Sequence, residues 1–286
     1  MERTERRIKL AGGLELAVDL LPGGREPGFL FVHGLASNAR LWDGVARFVA
    51  LAGHASCAVD LRGHGRSDKP EDGYDYDTLT ADLVAVMRAF SEETGVLGTV
   101  AVGQSFGGNL VLELAARRPA GLVGVACVDG GMFDLRARFE TWEEVRQVLA
   151  PPKLAGTPAA RLEAGMRAAH RDWPEEGIAG SMANFAVLED GTVSPLLTLD
   201  RHMSILRTMW NSRPRDIYPR VEVPVLFLPA DSPSSGAERS AEKRAGVEAA
   251  VAALSDASVR WFSPADHDVH AQFPEAVAEA LLERFA

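Results

Sequence analysis

The segment Val102-Gly103-Gln104-Ser105-Phe106-Gly107-Gly108 places one serine between two glycines, directly after the apolar run Thr99 to Val102 and just before a helix-forming stretch. A strand that reverses into a helix over so few residues has no room for side chains beside its tip, so Gly103 and Gly107 answer a steric demand. Ser105, at that tip, projects out of the sheet at a helix N-terminus, where backbone N–H groups and the helix dipole favour a developing anion. This is a setting for a nucleophilic serine. A glycine-rich turn that only packs a strand against a helix reads the same in isolation, and the flanking strand and helix separate the two. Two more motifs stand out, Phe31-Val32-His33-Gly34-Leu35 and Asp60-Leu-Arg-Gly-His-Gly-Arg-Ser-Asp68. His33, Arg62 and His64 in these tight loops read as hydrogen-bonding braces rather than catalysts. Cys57 and Cys127 each sit inside a short apolar run, read as buried strand positions, and have neither a metal-ligand spacing nor a pairing framework.

Elements able to hold such a serine are present along the chain. With 286 residues, 47% of them apolar and 24% charged, it can fold around a sizeable core. The same composition excludes a disordered chain, a collagen-like chain and a disulfide scaffold. A net charge of −10 lacks the footprint of a general nucleic-acid binder. The charged opening Met1 to Arg7 carries no apolar stretch and argues against a secretory signal. The uncharged segment Thr94 to Leu112 is broken by glycines, Gln104, Ser105 and Asn109, so it does not read as a membrane span. The expectation is a cytoplasmic protein that acts on a small molecule, without nucleic-acid or membrane partners, metal or cofactor.

Short buried-strand candidates alternate with helical runs, which predicts an α/β fold with a mostly parallel central sheet and helices on both faces. A hairpin around Gly12-Gly13 opens the chain, and strands are expected at 29–32, 55–59, 99–102, 122–128, 225–228 and 259–262. Helices are expected at 80–90 and 109–117, and a last one begins at Pro274, with Val277, Leu281, Leu282 and Phe285 on one face. From Phe133 to Pro219 the strand rhythm breaks. Thr141-Trp-Glu-Glu144 is a capping box, Thr157-Pro158 opens a helix ending near His170, and Glu189-Asp-Gly-Thr192 signals a hairpin turn. Leu199 to Trp210 is helical, with Met203, Leu206 and Trp210 on one stripe. Residues 1–132 and 220–286 thus form the core, and 133–219 read as a mainly helical cap inserted after the sixth strand.

The Gly-x-Ser-x-Gly turn, the His33-Gly34 loop and the Asp60 to Asp68 segment together resemble the α/β-hydrolase fold superfamily, in its serine branch with a helical lid. The resemblance covers nearly the whole chain and implies a Ser-His-Asp triad. The family's oxyanion donors, carried over, are the backbone N–H groups of Leu35 and Phe106, each worth about 3–4 kcal/mol of transition-state stabilisation. Its base lies between the last strand and the last helix, in Ser263-Pro-Ala-Asp-His267-Asp-Val-His270-Ala-Gln-Phe-Pro-Glu275. The family spacing registers on His267, with Asp266 where a glycine is usual. His270 is the competing candidate for the base, and otherwise a loop-to-helix capping contact. Asp266 and Asp268 would favour the imidazolium if they lie close.

Two positions compete for the acid. Asp231 follows the strand 225–228, where most of the family places it, although Pro233 stands where a second acidic residue is expected. Asp129 ends the strand 122–128, where a branch resembling the haloalkane dehalogenases keeps its acid, and Gly130-Gly131 let the backbone turn sharply there. The reading favours Asp129, with Asp231 as the fallback. Serine as nucleophile argues against dehalogenase and epoxide hydrolase chemistry, in which an aspartate holds that position. The implied activity is hydrolysis of a small to medium, largely apolar carboxylic ester, thioester or lactone through an acyl-enzyme. A ligand-binding protein with little turnover and a cofactor-free C–C hydrolase, lyase or perhydrolase are the alternatives.

Overall fold

The computed structural model describes residues 3–232 and 236–286. The opening hairpin is β1 (Thr4–Lys9) and β2 (Glu15–Leu21), antiparallel around a turn in which Gly12 and Gly13 take φ of +88° and +89°. The strands β3 (Arg25–Val32), β4 (His54–Val59), β5 (Thr99–Gln104) and β6 (Leu122–Val128) follow. A separate small hairpin consists of β7 (Phe185–Val187) and β8 (Val193–Pro195), after which β9 (Val225–Leu228) and β10 (Ala257–Val259) complete the main sheet. Its order is β1-β2-β4-β3-β5-β6-β9-β10. β2 runs antiparallel to β4, and every pair from β4 to β10 is parallel.

The central strands are apolar on both sides because helices cover both faces. Phe29, Phe31, Val100 and Val102 point to the layer of α1 (Asp43–Leu51), and Leu30, Val32 and Ala101 point to the layer of α2 (Tyr76–Thr94) and α3 (Phe106–Ala116). Asp75 caps α2 by accepting from the Thr78 N–H, and Gly95 ends it at φ +79°. Between β6 and β9 lie α4 (Leu135–Arg138), α5 (Trp142–Val148), α6 (Ala159–Ala169), α7 (Glu175–Met182) and α8 (Leu199–Asn211), together with the β7–β8 hairpin. The capping box of Thr141 and Glu144 is formed. The chain closes with α9 (Ala237–Ala253), α10 (Val269–Gln272) and α11 (Pro274–Phe285), and α11 packs beside α1.

Several local readings are corrected. The last strand ends at Val259 rather than Phe262; beyond it the chain still pairs beside β9, with Phe262 N–H donating to the Pro229 carbonyl at 2.9 Å. The buried stripe of α8 is His202, Ile205, Leu206 and Met209, while Met203 and Trp210 pack against the core only in part. The 17-residue α9 carries no clear apolar period, since it buries only Val247 and Ala250. Among the described residues no helix is long and apolar enough to cross a membrane.

Candidate active site

Ser105, Asp129, Leu35 and His267 all follow the C-terminal ends of parallel strands, the edge at which open α/β sheets leave a crevice for ligands. Ser105 joins β5 to α3 at φ +53°, ψ −118°, a conformation that non-glycine residues rarely adopt and that costs on the order of 1–3 kcal/mol. The glycines around it are needed for close approach. A Cβ on Gly103 would overlap the Gly107 carbonyl, and one on Gly107 would press on the backbone of Val32 and His33. Gly34 and Gly130 bring two further loops against Ser105: a Cβ on Gly34 would meet the serine's Cβ at 3.1 Å, and one on Gly130 would collide with its backbone.

Asp129 takes φ +40° at the end of β6, and its backbone N–H donates to the Leu228 carbonyl at 3.0 Å. The turn after it is pinned by α3, where the Asn109 side chain accepts from Gly131 N–H at 2.9 Å and donates to the Phe133 carbonyl at 3.1 Å. So aimed, the Asp129 carboxylate accepts the Nδ1–H of His267 at 2.6 Å. That bond fixes the tautomer with Nε2 free to take a proton. The Asp129 side chain is 1% exposed and that of His267 50%, so a dry anchor holds a ring that opens onto solvent. The Gln104 side chain donates to the His267 carbonyl at 3.3 Å and ties the His267 loop to the residue before the serine. The Ser105 hydroxyl makes no hydrogen bond to His267 or to any other described residue. Such contacts are commonly long before substrate arrives.

Asp231 has other partners. Its carboxylate accepts from Ser240 Oγ at 2.8 Å and from Arg244 at 2.7 Å, both on α9. Leu35 follows Gly34, whose loop packs against Ser105, and Phe106 is the first residue of α3; neither N–H has a partner among the described residues. His33 and His64 are braces: His33 hydrogen-bonds the Gly34 carbonyl at 2.8 Å and accepts from Leu61 N–H at 3.0 Å, and His64 bonds the Arg62 carbonyl at 3.0 Å. Arg62 clasps Asp82 at 2.7 and 2.8 Å. His270 makes no capping contact. It is buried against Trp42, with ring centroids 4.3 Å apart and both nitrogens unpartnered, and burial pushes its pKa down to about 3.

The electrostatics around His267 come from three elements. Desolvation by the loops packed on it pulls the half-exposed His267 imidazole down, but the hydrogen bond and charge of Asp129, joined by the charge of Asp268, outweigh it and leave the pKa above histidine's ordinary value. Burial raises the Asp129 carboxyl, and the bonds and charges of His267 and Lys243 more than reverse that. Of the two acids flanking His267 in sequence, Asp268 is the one whose charge favours its proton. Asp266 turns to the insertion, where its carboxylate accepts from His170 Nδ1 and Trp173 Nε1, both at 3.0 Å. Gln272 extends the tie by donating to Asp172 at 2.5 Å. Sequence reasoning missed Lys243, whose ammonium lies 2.8 and 2.9 Å from the two Asp129 oxygens; an acid stretch followed by a lysine on an Ala-rich helix offers no signal of that contact. Among the described residues no three His, Cys, Asp or Glu side chains group as a metal site.

A family model described as Alpha/beta hydrolase family matches residues 29–280. The chain belongs to the alpha/beta hydrolase family. Within that family it is 31% identical to a haloalkane dehalogenase of Bradyrhizobium diazoefficiens over 215 residues, 72% of this chain and 63% of that one. It is 36% identical to the bifunctional esterase/perhydrolase DCH of Acinetobacter calcoaceticus over 115 residues, 40% of each. The chain spans about two fifths of the length of the first curated relatives it matches. The crystal structure of an E-2-(acetamidomethylene)succinate hydrolase superposes with a TM-score of 0.73 at 23% identity, covering 99% of both chains. The alpha/beta hydrolase fold therefore runs through the chain from end to end, with its helical insertion after β6.

Proposed function

We propose that this hydrolase is a serine enzyme that cleaves a small to medium, largely apolar carboxylic ester, thioester or lactone through an acyl-enzyme. The observation that carries the reading is the buried Asp129 holding His267 Nδ1 at 2.6 Å, beside a strained serine on a strand-to-helix turn. His267 Nε2 takes the Ser105 proton as the hydroxyl oxygen attacks the substrate carbonyl. The resulting oxyanion receives the free N–H groups of Leu35 and Phe106. The imidazolium returns its proton to the departing alcohol or thiol, the acyl group stays on Ser105, and water deprotonated by His267 then releases the acid. Residues 133–219 act as a cap over this site. Leu35, Phe133, Leu149 and Met203, partly buried between core and insertion, supply apolar surface suited to an acyl chain.

The test is intact-mass analysis after brief exposure to a fluorophosphonate, followed by peptide mapping. A single adduct on Ser105 is expected, and a folded protein that stays unlabelled overturns the reading in favour of a ligand binder. The likeness to an esterase/perhydrolase favours one further arm: with hydrogen peroxide present, its attack on the acyl-enzyme in place of water yields a peracid, detectable by halide oxidation.

The protonation state of His267 gives a second expected result. A base must be neutral to act, and this imidazole holds its proton more tightly than usual. Activity therefore rises with pH through a limb centred above 6.5, histidine's ordinary value. A kcat/KM profile measured from pH 5 to 9 checks it, and a limb at or below that value contradicts the assignment of His267.

A further inference from the structure

We propose that Lys243 of α9 is a positioning residue of this site: it fixes the Asp129 carboxylate and, by cancelling its charge, limits how tightly His267 holds a proton. The inference rests on the catalytic reading of Asp129 and His267 given above. Its geometric basis is a full set of contacts. The Lys243 ammonium has three N–H donors and three acceptors around it, Asp129 Oδ1 at 2.8 Å, Asp129 Oδ2 at 2.9 Å and the Ala230 carbonyl at 2.7 Å. Nothing is left over for a substrate anion, so the lysine acts through its neighbour. The carboxylate is equally committed. Oδ1 also accepts from Ala230 N–H at 3.0 Å and Oδ2 from His267 at 2.6 Å, so its four acceptor sites are filled.

The arrangement has a cost that a bystander would not incur. Lys243 is drawn to 20% side-chain exposure on a helix that buries only Val247 and Ala250, and its partner is 1% exposed. A bare Asp129 anion beside the ring stabilises the imidazolium; an Asp129–Lys243 pair presents little net charge to it while still accepting its N–H. The other groups facing His267 are few. Asp268, next in its own loop, favours the proton, and His270 on α10 is buried and neutral. Phe133 lies with its ring 6.1 Å away, and Asp266 is paired with His170 of the insertion. Lys243 and Asp268 therefore pull the ring in opposite directions, and the balance of the two sets the pH at which the base becomes available.

The test reads His267 directly, by 15N-imidazole NMR titration of the protein and its variants, with the resonance assigned by its loss in His267→Gln. Lys243→Met is expected to raise the His267 pKa by about one unit, Asp268→Asn to lower it by a similar amount, and Lys243→Arg to leave it near the starting value. The acid limb of kcat/KM follows in each variant. Should Lys243→Met fail to fold, Lys243→Gln, which removes the charge and keeps donors, replaces it. A folded Lys243→Met or Lys243→Gln in which His267 titrates as before overturns the proposal and leaves the lysine a structural brace. If the NMR values move as expected while the kinetic limb does not, the electrostatic role stands and His267 as catalytic base falls.

Discussion

Ser105→Ala is expected to lower kcat by on the order of 10^6-fold and leave the fold intact. The loss is this large because base and acid have nothing to activate once the hydroxyl is gone; only the oxyanion donors and substrate binding remain, and they retain a residual rate above water. The fold should survive because the hydroxyl bonds to no described residue, so its removal strips no partner. Alanine at φ +53° faces the same backbone strain as serine. Burst-free, near-background hydrolysis of an aryl ester together with an unchanged circular dichroism melt is the expected pair of observations. Substantial turnover in this variant would remove the acyl-enzyme mechanism.

The second large effect separates the two aspartates. Asp129→Asn should cost about 10^4-fold in kcat, the loss known for replacing a triad acid with its amide. The amide would turn an N–H toward either His267 Nδ1 or the Lys243 ammonium, since both neighbours are donors and only one oxygen would remain for them. The imidazole then loses its preferred tautomer. Asp231→Asn removes an exposed-helix contact to Arg244 and Ser240 and should change kcat by less than about threefold, with a small stability effect of the order of a surface pair. Steady-state kinetics on both variants, side by side, decide the matter, and equal modest losses would unseat Asp129.

The features legible in the amino-acid sequence are those that hard sterics impose. The elbow was legible because only glycine tolerates the contacts at 103 and 107, and the parallel sheet because its central strands must be apolar on both faces. The competition between Asp129 and Asp231 could not be closed in the same way. Both follow a buried strand, and what divides them is the face of α9 opposite: Lys243 meets one, Ser240 and Arg244 the other. That helix left no trace in the pattern, because it buries two side chains and docks by charge. His270 misled for a related reason. Its place beside a helix start suggests capping, whereas the packing of α1 and α10 draws it under Trp42.

The contacts of Asp266 bear on how the protein could be recombined. Ser105, His267, Asp129, Lys243, Leu35 and Phe106 all lie outside residues 133–219, so an insertion grafted from another chain would bring no piece of the proposed chemistry with it. It would have to bring one loop. His170, Asp172 and Trp173 grip Asp266 and Gln272, the residue before the base and the helix just after it. A chimera lacking those three side chains would leave the loop of His267 moored from one side only, and its selectivity would change together with the alignment of its base.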